Sequence, residues 1–173
     1  MNFDFFEKYK YKIKSKSELK KILQKSRSSK KSIMCHGVFD IVHPGHVRHL
    51  IHAKNRADIL IVSLTSDKFI SKGKFRPHVP EKIRSLNMSA FEMVDYVIID
   101  DEKTPINLIK FLKPTFFAKG FEYTASEINN NTLVEEKTVR SYGGRMVFTP
   151  GDIIYSSSNL LNFHSPKIEG EKL

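Results

Sequence analysis

Residues 32–46 read SIMCHGVFDIVHPGH, and their reading decides the fold. The apolar run Ser32–His36 ends at Gly37, which suggests a buried strand closed by a backbone that a ligand could approach. Nine residues later a helical pattern begins. From His46, residues Val47, Leu50 and Ile51 recur at the spacing of one helix face, and the helix is expected over 46–56. Pro44 suits an early helical position, where its missing N–H costs nothing. Gly45 leaves room for a phosphate over the unpaired N–H groups of the helix start. His43 and His46 lie three apart, so a turn entering a helix brings both rings to one side. Two imidazoles beside a helix N-terminus suit a polyanionic phosphate.

Outward from this stretch, strand and helix patterns alternate. Residues 58–66, DILIVSLTS, are apolar and largely β-branched, as in a strand covered on both faces. Helices are expected over 81–91, 106–112, 132–142 and 157–163. Further strands are expected over 94–99, 115–118 and 145–148. Five such alternations imply parallel strands joined by crossovers. The expected fold is one α/β domain, a Rossmann-like three-layer sandwich with a parallel sheet of about five strands. Sheets of this kind bind ligands beyond the carboxyl ends of their strands. GxGxxG does not follow the first strand, so this is not a dinucleotide fingerprint.

The chain has 173 residues and a formal charge of +10. Eleven Lys/Arg against three acids in residues 1–31 account for +8 of it. The chain therefore reads as a basic leader over 1–31 with a short helix at 17–26 capped by Ser17, a body over 32–163 and a flexible tail over 164–173. A solvated leader of this kind is expected to be dispensable as far as residue 16. No aromatic or groove-reading motif accompanies it, so a nucleic-acid-binding arm is not favoured. No apolar run is long enough to span a membrane, and no secretory signal opens the chain. The single cysteine, Cys35, excludes an internal disulfide and fits a reducing cytoplasm. Two histidines could also bind Zn2+, with Asp40 completing the set, but a single cysteine and no further ligand at an obvious spacing disfavour it, and no protein-bound metal is expected.

Gly37-Val38-Phe39-Asp40 with His43-Pro44-Gly45-His46 resembles the G-x-F-D-x-x-H-x-G-H signature of the cytidylyltransferase-like nucleotidyltransferase superfamily. Within it the pattern is most similar to the adenylyltransferase domain that activates heptose 1-phosphate. The glycerol-3-phosphate cytidylyltransferases are more distant, because Thr149-Pro150-Gly151-Asp152 lacks the arginine those enzymes carry there. The resemblance runs from about Ser32 to about Asn162. It implies that His43 and His46 bind the α- and β-phosphates, with Lys72 and Arg84 on the acceptor phosphate or pyrophosphate. It further implies that Gly37, Val38, Phe39, Asp40 and Gly45 line the nucleotide. Lys119, Gly120 and Tyr123 would lie near its base and ribose, and Ser156, Ser157 and Ser158 would grip its outer phosphates. Where the heptose-type pattern has Gly-Gly-Asp-Tyr, this chain has Gly120-Phe121-Glu122-Tyr123. The implied reaction joins AMP or CMP to a phosphorylated sugar or polyol with release of pyrophosphate, using Mg2+ with ATP or CTP. A homodimer and a fused or separate sugar kinase are implied as partners. The rival reading is a noncatalytic nucleotide-binding module on the same fold.

Overall fold

A computed structural model describes residues 5–71, 76–120 and 130–149. Five parallel strands, β1 (Ser32–Gly37), β2 (Ile59–Thr65), β3 (Tyr96–Asp100), β4 (Phe116–Gly120) and β5 (Arg145–Thr149), form one sheet in the order β3-β2-β1-β4-β5. The expected Rossmann-like α/β sandwich is thus the observed one. The chain runs outward from β1 to β3 and then crosses back to place β4 on the other side of β1. The carboxyl ends of β1 and β4, at Gly37 and Gly120, therefore flank the point where strand order reverses. In open parallel sheets that crevice is where ligands bind.

The helices are α1 (Phe5–Lys10), α2 (Lys16–Ser26), α3 (Pro44–Lys54), α4 (Glu81–Ser89), α5 (Ile106–Leu112) and α6 (Asn130–Arg140). Every residue of β2 is buried, as a strand covered on both faces requires. One core lies under α3 and α4 and includes Cys35, Phe39, Leu50, Val62 and Met88. The other lies under α2, α5 and α6 and includes Leu19, Leu23, Met34, Ile61, Leu108 and Val139. Helix α3 starts at Pro44 rather than at residue 46, because His43 already has the extended backbone of an N-cap residue. The helix expected over 157–163 and the tail over 164–173 lie outside the described residues.

The first 31 residues are less detached from the body than their charge suggests. Lys14 donates its N–H to Val97 O at 2.8 Å, and Val97 N–H donates to Lys12 O at 2.9 Å. Ile13 thereby pairs with the outer edge of β3 and covers backbone groups that would otherwise be open. The cap of α2 is Ser15, not Ser17. Glu18 N–H donates to Ser15 Oγ at 3.3 Å, and Ser15 N–H donates back to Glu18 Oε2 at 2.8 Å, a reciprocal capping box. Leu19 and Leu23 then face the core, at 0% and 4% exposure. Leu19→Ala should accordingly cost about 2–5 kcal/mol, the range for a buried leucine, measured by urea unfolding. A cost near zero would mean that α2 is not part of the core.

The start of α2 also covers Asp100, which is fully buried at the end of β3. Lys16 Nζ is 3.8 Å from its Oδ1, but neither carboxylate oxygen has a hydrogen-bond partner among the described residues. Burial pushes this carboxyl up to about 6, against a smaller opposing pull from Lys16. A raised carboxyl in the folded state means that stability falls as pH rises from about 4 to about 6. The penalty is complete above that window. Asp100→Asn should therefore raise Tm at pH 7.5 and change it little near pH 4. A drop in Tm at pH 7.5 would show that the Lys16 contact outweighs the burial cost.

Candidate active site

The site is built on the turn between β1 and α3. Phe39 has φ +49°, a left-handed conformation that costs a residue with a Cβ about 1–2 kcal/mol. The turn sends its ring into the core, where it is 5% exposed. It also stacks obliquely on the His46 ring, with centroids 4.9 Å apart. A Cβ at Gly37 would lie 3.1 Å from Phe39 Cε2, so the tight turn leaves little room for a side chain there. His43 and His46 stack face to face with centroids 3.8 Å apart. His46 N–H donates to His43 O at 2.9 Å, which fixes the turn that brings the rings together. His43 is 8% exposed and lines a cleft of about 530 Å3 with Val42, Pro44 and Val47. The pair stands at the N-terminal end of an eleven-residue helix, whose partial positive charge favours an anion.

Two sets of polar contacts hold this turn. Asp40, 2% exposed, accepts from Val79 N–H at 2.9 Å and forms an ion pair with Arg76 at 2.9 Å. Its carboxylate is thus engaged with the segment before α4, and what Asp40 can offer a nucleotide is its backbone. Arg84 is the second tie. The resemblance assigns it to a phosphate, but its side chain is fully buried and its guanidinium has other partners. It donates to Val38 O, to Val79 O at 2.9 Å, to Thr65 O at 2.9 Å and to Asp67 Oδ1 at 2.6 Å. Arg84 binds the ends of β1 and β2 to α4 and positions Val38. Asp67 and Glu81 complete the clamp, each accepting the other's backbone N–H, at 3.1 and 2.7 Å.

Lys119, at the end of β4, is drawn to α6 rather than left open towards a base. Its Nζ donates to Thr132 Oγ1 at 3.1 Å and pairs with Glu135. Burial raises the Glu135 carboxyl, and Lys119 partly offsets this. Gly120 sits beside it at the switch point. Lys72, Tyr123, Ser156, Ser157 and Ser158 lie outside the described residues. The structure thus brings together Gly37, Val38, Phe39, Asp40, His43, Gly45 and His46 on one turn. Lys119 and Gly120 stand on the neighbouring strand.

Two histidines with no role in the sequence pattern prove to be structural. His36 Nδ1 is 2.9 Å from Ser63 Oγ and its Nε2 3.2 Å from Thr65 Oγ1. Burial, helped by the charge on Lys119, pushes it down to about 4. His49 joins α3 to β5 through Thr149 Oγ1 at 2.8 Å, and burial followed by His52 pushes it down to about 4 as well. Both are neutral near pH 7. Only the alternation of strand side chains could have hinted at His36. Burial pushes the Cys35 thiol up, so it is no nucleophile. No three His, Cys, Asp or Glu side chains converge to hold a metal among the described residues.

Fold and site together define a Rossmann-like α/β domain with a paired-histidine turn beside its switch point. A family model described as cytidylyltransferase-like matches residues 34–161, and the chain belongs to that family. Among curated proteins it is 38% identical over 138 residues to the bifunctional protein HldE of Campylobacter concisus, covering 79% of this chain and 29% of the relative. It is 47% identical over 120 residues to the bifunctional protein HldE of Campylobacter jejuni subsp. jejuni, covering 68% of this chain and 25% of the relative. The chain thus spans between a quarter and three tenths of the length of these relatives. A lipopolysaccharide core biosynthesis protein from Thermoplasma volcanium GSS1 superposes with a TM-score of 0.59 at 25% identity, covering 70% of this chain and 98% of that one.

If Arg84 serves the fold, Arg84→Lys should lower Tm by several degrees, because lysine cannot reach four acceptors in one plane. Thermal melting of the variant checks this. An unchanged Tm with lost turnover would instead return Arg84 to the substrate.

Proposed function

We propose that this domain transfers AMP or CMP from ATP or CTP to the phosphate of a sugar or polyol, releasing pyrophosphate. The observation that carries the reading is the stacked His43–His46 pair at the start of α3, beside the strand ends where the sheet order reverses. An acceptor phosphate oxygen attacks the α-phosphorus in line. The bond to the bridging oxygen breaks, and its electron pair leaves with pyrophosphate. The acceptor is already an anion, so no general base is needed. The protein's task is to align two polyanions and offset their repulsion. His43 and His46 serve the α- and β-phosphates. Backbone from Gly37 to Asp40 and Gly45 lines the nucleotide, with Gly120 on the adjoining strand. Lys72 is assigned to the acceptor phosphate, Tyr123 to the nucleoside, and Ser156, Ser157 and Ser158 to the outer phosphates.

The HldE relatives and the lipopolysaccharide-related structure favour a heptose 1-phosphate acceptor, ATP as donor and a surface glycan as destination. Mg2+ would arrive on the triphosphate, where it neutralises charge on the phosphate oxygens. Asp40, engaged with Arg76 and Val79, is not offered to it as a ligand. Work as a homodimer in the cytoplasm, with a sugar kinase fused or separate, completes the proposal. No helix among the described residues is long and apolar enough to cross a membrane.

His46→Ala should lower turnover at least ~100-fold, the scale for losing one transition-state donor, with the fold retained. Pyrophosphate release from ATP and from CTP, with heptose 1-phosphate and glycerol 3-phosphate as acceptors, measures this. Substantial activity in the variant removes the histidine assignment. Triphosphate binding with no release from any pair favours the noncatalytic module.

A further inference from the structure

The amino ends of the strands, opposite the candidate active site, carry a second concavity. It has a volume of about 710 Å3 and is lined by Arg27, Lys30, Lys31, Lys54, Arg56 and Asp58, among others. Such a volume lies within the range of small-molecule sites, roughly 300–1,000 Å3. Five cations face one acid. The bland explanation is that cations collect at helix C-termini, and α2, α3 and α5 all end near this edge. That explanation covers two of the five. Arg27 donates to Leu112 O at 3.3 Å and Lys113 O at 3.0 Å, at the end of α5. Lys54 donates to Asp58 O and to Asp95 Oδ2, both at 2.6 Å.

The other three have no such use. Lys30, Lys31 and Arg56 are exposed, and their side chains have no partner among the described residues. The one carboxylate, Asp58, accepts the Lys31 backbone N–H at 2.8 Å, which orients it without neutralising a side chain. Three helix ends supply roughly half a negative charge each, less than the excess of three that remains once Lys54 is paired with Asp95. The surrounding charge is already crowded. Lys20 is pushed down by burial, with further contributions from Arg27 and Lys113.

We propose that this concavity is a second binding site, for a small phosphorylated molecule carrying at least two negative charges. Its concave shape favours a compact ester or oligophosphate over an extended polyanion. The site is separated from the candidate active site by the length of β1, about 17 Å at 3.3 Å per residue. It does not depend on the transferase reading.

The test uses the full chain carrying His43→Asn and His46→Asn, which removes two phosphate contacts of the other site, and only binding that persists in this chain is assigned to the concavity. Calorimetric titrations with ATP, glucose 1-phosphate, inorganic pyrophosphate and heparin are then compared with and without Lys30→Glu and Arg56→Glu. We expect at least one probe to saturate a single site, and charge reversal to weaken it at least tenfold. Which probe saturates identifies the source of the phosphate. The neutral pair Lys30→Gln and Arg56→Gln should weaken it less. Equal affinity before and after charge reversal, no saturable binding, or saturation by heparin alone would overturn the proposal. Nucleotidyl transfer is scored separately, in the chain with both histidines intact.

Discussion

The left-handed turn at Phe39 is the constraint on which the site depends. It lets β1 end, reverse and enter α3 within a few residues, so that His43 and His46 stand over the carboxyl edge of the sheet. Left-handed backbone is unfavourable for a bulky residue and persists only where its surroundings over-determine it. Here they do. The Phe39 ring is packed in the core, Asp40 is tied to Arg76 and Val79, and Arg84 grips Val38. Strain at the turn is offset by buried polar contacts on either side of it.

Those contacts link the site to elements remote in sequence. Arg84 and Glu81 sit at the start of α4, Asp67 follows β2, and Asp40 follows β1. Together they fix both ends of the segment between residues 67 and 81 against the histidine turn. Losing any one anchor leaves a buried charged or polar group without its partner, an outcome more costly than the bond itself. At the sheet's far edge, residues 12–14 and α2 close the structure around β3 and the second core.

Much of this was legible in the sequence. Apolar runs marked the strands, since buried parallel strands read as continuous hydrophobic stretches. The residues Gly37 to His46 marked the site, because only a few residue types fit a tight turn onto a helix start. Charge misled. The basic residues before position 31 suggest a solvated leader, yet Leu19 and Leu23, on one face of its helix, are buried in the core. Arg84 shows the opposite difficulty. Its spacing on α4 cannot tell a phosphate from a carbonyl, and the four acceptors around it come together only in the fold. Lys119 is a similar case, since Glu135 lies sixteen residues away and meets it only in the fold. His36 and His49 carry the same chemistry as the motif histidines, but their hydroxyl partners come from other strands.

A crystal structure of the chain with Mg2+ and a nonhydrolysable ATP analogue tests the central claim most directly. We expect the α- and β-phosphates within hydrogen-bonding distance of the imidazoles at 43 and 46, over the ends of β1 and β4. Phosphates bound elsewhere, with both imidazoles untouched, would contradict it.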